Sequence, residues 1–215
     1  MKYQELFNNV SNESFSKFSE TAGQVIEKLM LDKATIIEML ENVLEDEELI
    51  KKSECYDFLD KIICFSDDDA DIHMRISLFN DKYANRIHYH RWDYVACILS
   101  GAYTQYFYGL YNGQDISSLY PYEPIYIQHH LPNEIYSLNH SIIHSVVAQP
   151  DTISICIRGK AFEDRFQTIN PITNTTWWQY GAKLEASEER QMKSVSKAYL
   201  NERIAYIIKV LRNQR

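Results

Sequence analysis

The chain of 215 residues is short of several things that would narrow its class at once. Six glycines and five prolines leave no low-complexity linker, and no internal repeat is visible. The four cysteines, Cys55, Cys64, Cys97 and Cys156, stand far apart with no CxxC pair. Neither a zinc ribbon nor a disulfide framework is expected, and free thiols in the cytoplasm are the default. No apolar run approaches the roughly 18 residues that span a bilayer. The opening MKYQELFNNVSNES lacks the apolar stretch of a secretory signal, so neither a membrane nor an export role is expected. Basic blocks are missing too: the net charge is −8 and the acids are spread along the chain. Such a surface repels phosphate backbones, which disfavours nucleic acid as a partner.

What is present is an ordinary apolar fraction of 45% and 16 tyrosines, concentrated after residue 80. Aromatic enrichment of that kind fits β-strands. The first 65 residues read differently. In ESFSKFSETAGQVIEKLML, apolar residues recur every three or four positions from Phe15 to Leu29, which predicts an amphipathic helix. A second helix follows Asp32, a suitable N-cap, and a third, shorter one is expected over 54–64. The run SDDDAD reads as a solvated loop, since a calcium loop would need a glycine turn and a distal glutamate.

From Ile72 the period changes to two. IHMRISLF alternates apolar and polar residues as a half-buried strand does, with His73 on the side expected to face solvent. Further strand-like runs follow over 94–99, 102–108, 125–128, 135–138, 142–148, 152–157 and 162–169. Turn signals such as Ser100-Gly101 and Asn112-Gly113 separate them. The spacing predicts a mainly β sandwich or barrel with helical extensions. The division expected is a helical segment over 1–66, a β-barrel over 67–182, and a helix within 183–215 that packs on the barrel or on a partner.

Six of the seven histidines lie between residues 88 and 144. His129 and His130 adjoin a Leu-Pro turn and are expected to be exposed. His88 and His90 are two apart, so on a strand they project to one face and can reach one metal ion. His144 lies in an Ile/Val-rich run that should be buried, where an imidazole needs a partner or a metal. His140 shares its parity nearer the start of that run. Three histidines from two strands would leave open positions on the ion, a non-haem iron type of arrangement.

His88-Tyr89-His90 followed by Trp92 to Gly101, with His144 inside SIIHSVV, resembles the two motifs of the cupin superfamily. More narrowly, HYHRWDYVACILSGAY, IHSVVAQPDTISICIRG and TTWWQYG resemble a group of small bacterial cupins. The resemblance covers roughly residues 72–182 and implies a double-stranded β-helix with one divalent metal on His88, His90 and His144. The cupin glutamate would fall near Tyr94 or Val95, which cannot replace it. Asp93 could serve as a fourth ligand only if a bulge turned it to the histidine face. The three-histidine pattern is similar to that of thiol dioxygenases, although Cys97 does not stand where their cross-linked cysteine would.

Around the metal, a three-residue hairpin loop near Pro150 would put Arg158 on the His144 face, where its guanidinium could clamp a substrate carboxylate. Parity makes Tyr106 or Gln105 a pocket residue, and Tyr106 is taken with Arg158 as a catalytic candidate. Trp92 shares the ligand parity, and the WWQY run could close one barrel end. The favoured function is a non-haem iron(II) oxygenase acting on a small carboxylate-bearing metabolite and O2, with zinc, nickel or manganese as other metals. A redox-neutral isomerase or lyase and a non-enzymatic ligand-binding cupin are the alternatives. A homodimer is a further option.

Overall fold

Residues 3–80 and 86–214 are described by the computed structural model. The N-terminal quarter is helical: α1 (Gln4–Phe7), α2 (Phe15–Leu31), α3 (Lys33–Val43) and α4 (Glu47–Lys52). Each long helix begins on a polar cap that accepts a backbone N–H. Ser14 takes that of Lys17, and Asp32, as its position foretold, takes that of Thr35. Twelve strands follow: β1 (Glu54–Cys55), β2 (Leu59–Asp67), β3 (Ile72–Phe79), β4 (Ile87–His88), β5 (Trp92–Ser100), β6 (Tyr103–Leu110), β7 (Tyr126–His130), β8 (Ile135–Leu138), β9 (Ile142–Ala148), β10 (Ile153–Ala161), β11 (Arg165–Asn170) and β12 (Thr175–Tyr180). Two helices, α5 (Ser187–Lys193) and α6 (Lys197–Asn213), close the chain.

The strands form two six-stranded sheets in the orders β1-β2-β3-β10-β5-β8 and β12-β11-β4-β9-β6-β7, every pair antiparallel. The eight strands β3 to β10 make a double-stranded β-helix. Strands β3, β10, β5 and β8 lie in the first sheet, and β4, β9, β6 and β7 in the second. Strands β1–β2 and β11–β12 widen the two sheets at their edges. The β5–β6 turn requires glycine: Gly101 has φ +80, and a Cβ there would stand 2.5 Å from Thr152 Oγ1.

The largest apolar core lies outside the barrel. Phe18, Ile26 and Leu29 of α2, Ile36, Met39 and Leu40 of α3, and Ile204 and Ile207 of α6 close on Ile62, Met74, Ile76, Val95, Ile155 and Ile157 of the first sheet. Each fully buried side chain of this type stabilises by about 1.5–3 kcal/mol, so the helices serve as the hydrophobic partner of that sheet. The inner face of the sheet is thereby released from core duty and carries polar residues. A smaller cluster, including Ile87, Tyr108, Ile116 and Ile143, covers the outer face of the second sheet. Among the described residues no helix is long and apolar enough to cross a membrane.

Three expectations change. The helix expected over 54–64 is β1 and β2 instead. β2 is buried along most of its length, against helices on one side and the barrel on the other. A short apolar run covered on both faces loses its two-residue period and cannot be told from helix by pattern. The C-terminal helix is two, broken at 194–196, where Ser196 caps α6 by accepting from Tyr199 N–H. Third, β9 and β10 are not a hairpin: they lie in different sheets, and the 149–152 turn carries the chain across the barrel.

Candidate metal centre

His88 ends β4, His90 lies in the connection to β5, and His144 sits on β9 directly opposite His88 in the β4–β9 pairing. A backbone bond from His90 N to His140 O, 3.0 Å, ties the connection to the segment before β9. One ring nitrogen from each of the three lies within 4.8 Å of the others, and His90 Nε2 stands 2.9 Å from His144 Nε2. Two nitrogens at right angles on one ion, each at about 2.0–2.1 Å, stand about 2.9 Å apart, so this separation fits shared ligation. The Nδ1 of His88 is 2.9 Å from Arg86 O, to which it donates, leaving the Nε2 lone pair free.

Burial sets the charge of these groups. It pushes His88 down to about 4, helped by the nearby cations Lys61 and Arg75, and it holds His90 and His144 well below the ordinary value, with His88 adding to the effect. All three are therefore neutral imidazoles at neutral pH, the form that binds a metal.

The ring of His144 is held from behind. Its Nδ1 is 3.1 Å from the Gln105 amide, which also reaches Tyr94 Oη at 3.2 Å and His130 Nε2 at 2.9 Å. Ligation through Nε2 puts the proton of His144 on Nδ1, and the acceptor it then needs is the amide oxygen of Gln105. A half-turn of the amide serves either tautomer, since its two ends differ only in donating or accepting. Tyr94, which occupies the place of the missing glutamate, is buried 5.0 Å from the His90 ring, and burial pushes its phenol well above the ordinary range. It is a neutral hydroxyl. Trp92 stacks on His90 at 4.7 Å.

Asp93 and His140 satisfy each other away from this cluster. Asp93 accepts from His140 Nδ1 at 2.9 Å, His140 N at 2.7 Å and Asn139 Nδ2 at 3.0 Å, so no bulge turns it to the metal face. His130 is buried through its contact with Gln105, contrary to the exposure expected beside a turn, while His129 stays exposed. Tyr106, expected in the pocket, lies on the other face of its strand. It pairs with Ser145, one residue out of phase with His144, and packs in the outer cluster, while Gln105 takes the inner face.

The histidines open on a cavity of about 1690 Å³ that extends from between the sheets to α4 and α5. Arg158 lines it, but by the pairing of β10 with β5 and β3, and not by a hairpin with β9. Its guanidinium donates to Asp71 Oδ1 at 2.7 Å, Gly159 O at 3.0 Å and His73 Nε2 at 2.9 Å, which uses most of its capacity. His73 itself faces this interior and not solvent. Pattern reading missed two cations on the same wall, Lys61 of β2 and Arg75 of β3. Both are the polar alternates of strands whose other face meets the helices.

No family model and no curated protein matches the chain. Among solved structures it is similar to KdgF from Halomonas sp., at 16% identity over 48% of this chain and 82% of that one, TM-score 0.36. It is also similar to an RmlC-like cupin from Shewanella frigidimarina NCIMB 400, at 18% identity over 52% and 86%, TM-score 0.37. A third is the DMSP lyase DddQ from Ruegeria pomeroyi DSS-3, at 9% identity over 51% of each chain, TM-score 0.37. The strand order describes a double-stranded β-helix, and the three clustered histidines a candidate metal centre, as the resemblance of the two motifs implied.

Proposed function

We propose that the chain is a metal-dependent enzyme, a non-haem iron(II) oxygenase acting on a small carboxylate-bearing metabolite. The observation that carries this reading is the set of three neutral imidazoles, clustered on a cavity wall with no carboxylate among them. Three such ligands leave open positions and suit an oxygen-activating ion, although zinc, nickel or manganese fits the same donors. Iron bound there would supply O2 activation beside the substrate. The protein's share is positional. His88, His90 and His144 hold the ion, Gln105 fixes the His144 ring, and Trp92 screens His90 from water. Arg158, committed to Asp71, acts on the cavity's shape and charge in this reading, and Tyr106 has no part in it.

One feature favours a redox-neutral isomerase or lyase as the second reading. The Tyr94 phenol beside His90 stays protonated, and it could donate a hydrogen bond to the charge that a Lewis-acid reaction develops on its substrate.

The test is metal analysis of the full-length protein, then reconstitution with iron(II) under argon. Addition of nitric oxide should give an iron-nitrosyl EPR signal, and a panel of thiols, amino acids and keto acids should reveal substrate-dependent O2 uptake. Turnover with zinc and without O2 would overturn the oxygenase reading in favour of the second. Failure to bind any divalent metal would overturn both.

A further inference from the structure

Two cavity-lining residues each carry a buried polar atom with no hydrogen-bond partner: Arg75 Nε and Thr168 Oγ1. They come from opposite walls. Arg75 lies on β3, and its guanidinium stands 5.2 Å from the Trp92 ring centre, the same indole that stacks on His90. Thr168 lies on β11 and is the direct pairing partner of His88. The unmet groups therefore flank the candidate metal centre on both sides.

The charges sharpen this. Arg158 is paired with Asp71, and Lys61 and Lys193 share Glu54 while Lys193 also meets Glu185. Of Lys61, Arg75, Arg158 and Lys193, Arg75 alone makes no ion pair with the described residues. Lys61, at 3.7 Å from Glu54, is only loosely held and lies on the neighbouring strand.

A half-buried guanidinium whose Nε–H has no partner asks for an acceptor, and its planar fork matches a carboxylate through two parallel bonds. Resting on the reading of this cavity as a metal-dependent active site, we infer that Arg75 is the anchor of a carboxylate subsite. It takes small monocarboxylic acids whose far end reaches the three histidines, with Thr168 bonding to the substrate beside His88. Arg75 thus takes the role that sequence pattern assigns to Arg158.

The experiment titrates the full-length, zinc-loaded protein with propionate, propionamide and inorganic phosphate, following indole fluorescence. Propionate should saturate and propionamide should not. Arg75→Met should weaken propionate at least tenfold, Arg75→Lys should recover part of the loss, and Arg158→Met should weaken it less than Arg75→Met does. Near-ultraviolet circular dichroism reports whether each variant is folded, and Arg75→Lys supplies the comparison if Arg75→Met is not. Unchanged propionate affinity in a folded Arg75 variant, or tighter binding of phosphate, overturns the inference. In His88→Ala, loss of metal with propionate binding retained supports the subsite even where the metal reading fails.

Discussion

Gln105 and His144 are diagonal neighbours on one face of the β6–β9 ladder, with the amide 3.1 Å from Nδ1 of the imidazole. A group that orients a ligand from behind typically alters metal affinity 10–100-fold, roughly, when removed. Gln105→Leu is therefore expected to weaken divalent-metal binding by about that range while the fold is kept. Gln105→Glu should recover much of the loss, because a carboxylate accepts from Nδ1–H. Competition with a metal-sensitive chelating dye measures both. Equal affinity in Gln105→Leu would show that the ring needs no such support.

The three histidines should act as a unit. His88→Ala, His90→Ala and His144→Ala are each expected to drop metal content from about one ion per chain to near zero after dialysis, given three protein ligands in such a site. Tyr106→Phe should leave it unchanged, since that side chain packs on the outer face of the second sheet. Elemental analysis beside circular dichroism decides this.

Stability should fall on mild acidification, in part through His73. Burial first and then the charge of Arg158 push this imidazole down to about 3, because Arg158 donates to its Nε2 at 2.9 Å and leaves no place for a proton. The folded state thus binds fewer protons than the unfolded state, in which histidine titrates near its ordinary value. Stability from this group is complete above about pH 6.5 and is lost as pH falls below it, by up to about 1.4 kcal/mol per unit. Urea unfolding at neutral pH and near pH 5 should show a shallower acid limb in His73→Gln than in the parent. Parallel limbs would remove His73 from the account.

The helical layer should be as necessary to the barrel as the strands are. Ile36 of α3 and Ile76 of β3 are fully buried in one core. Ile36→Ala and Ile76→Ala are each expected to cost about 2–5 kcal/mol, by lost burial and the cavity left behind. Denaturant midpoints measure the change. A cost below 1 kcal/mol for Ile36→Ala would mean that the helices are dispensable cover.

Local pattern determined a good deal of this protein by itself. The three-to-four-residue recurrence in α2 and α3, the N-cap at Asp32, the two-residue period of β3 and the turn at Gly101 all depend on neighbours in sequence. The pairing of His88 and His90 with His144 was legible because each has a short-range signature, a shared face or an imidazole in an apolar run. Tertiary structure decided which side of each strand is inside. In IHMRISLF the apolar alternates meet α2, α3 and α6, so the polar alternates, His73 and Arg75, point into the cavity where solvent was expected. Alternation reports that two faces differ; it cannot say whether the polar one meets water or a binding site. The same limit hid Lys61, inside a strand covered on both faces, and sent Tyr106 inward and Gln105 out of first place. A strand's register relative to its partners is set by which sheet the chain enters next. At 149–152 that is a crossing between sheets, and the sheet entered there packs on helices from both distant ends of the chain.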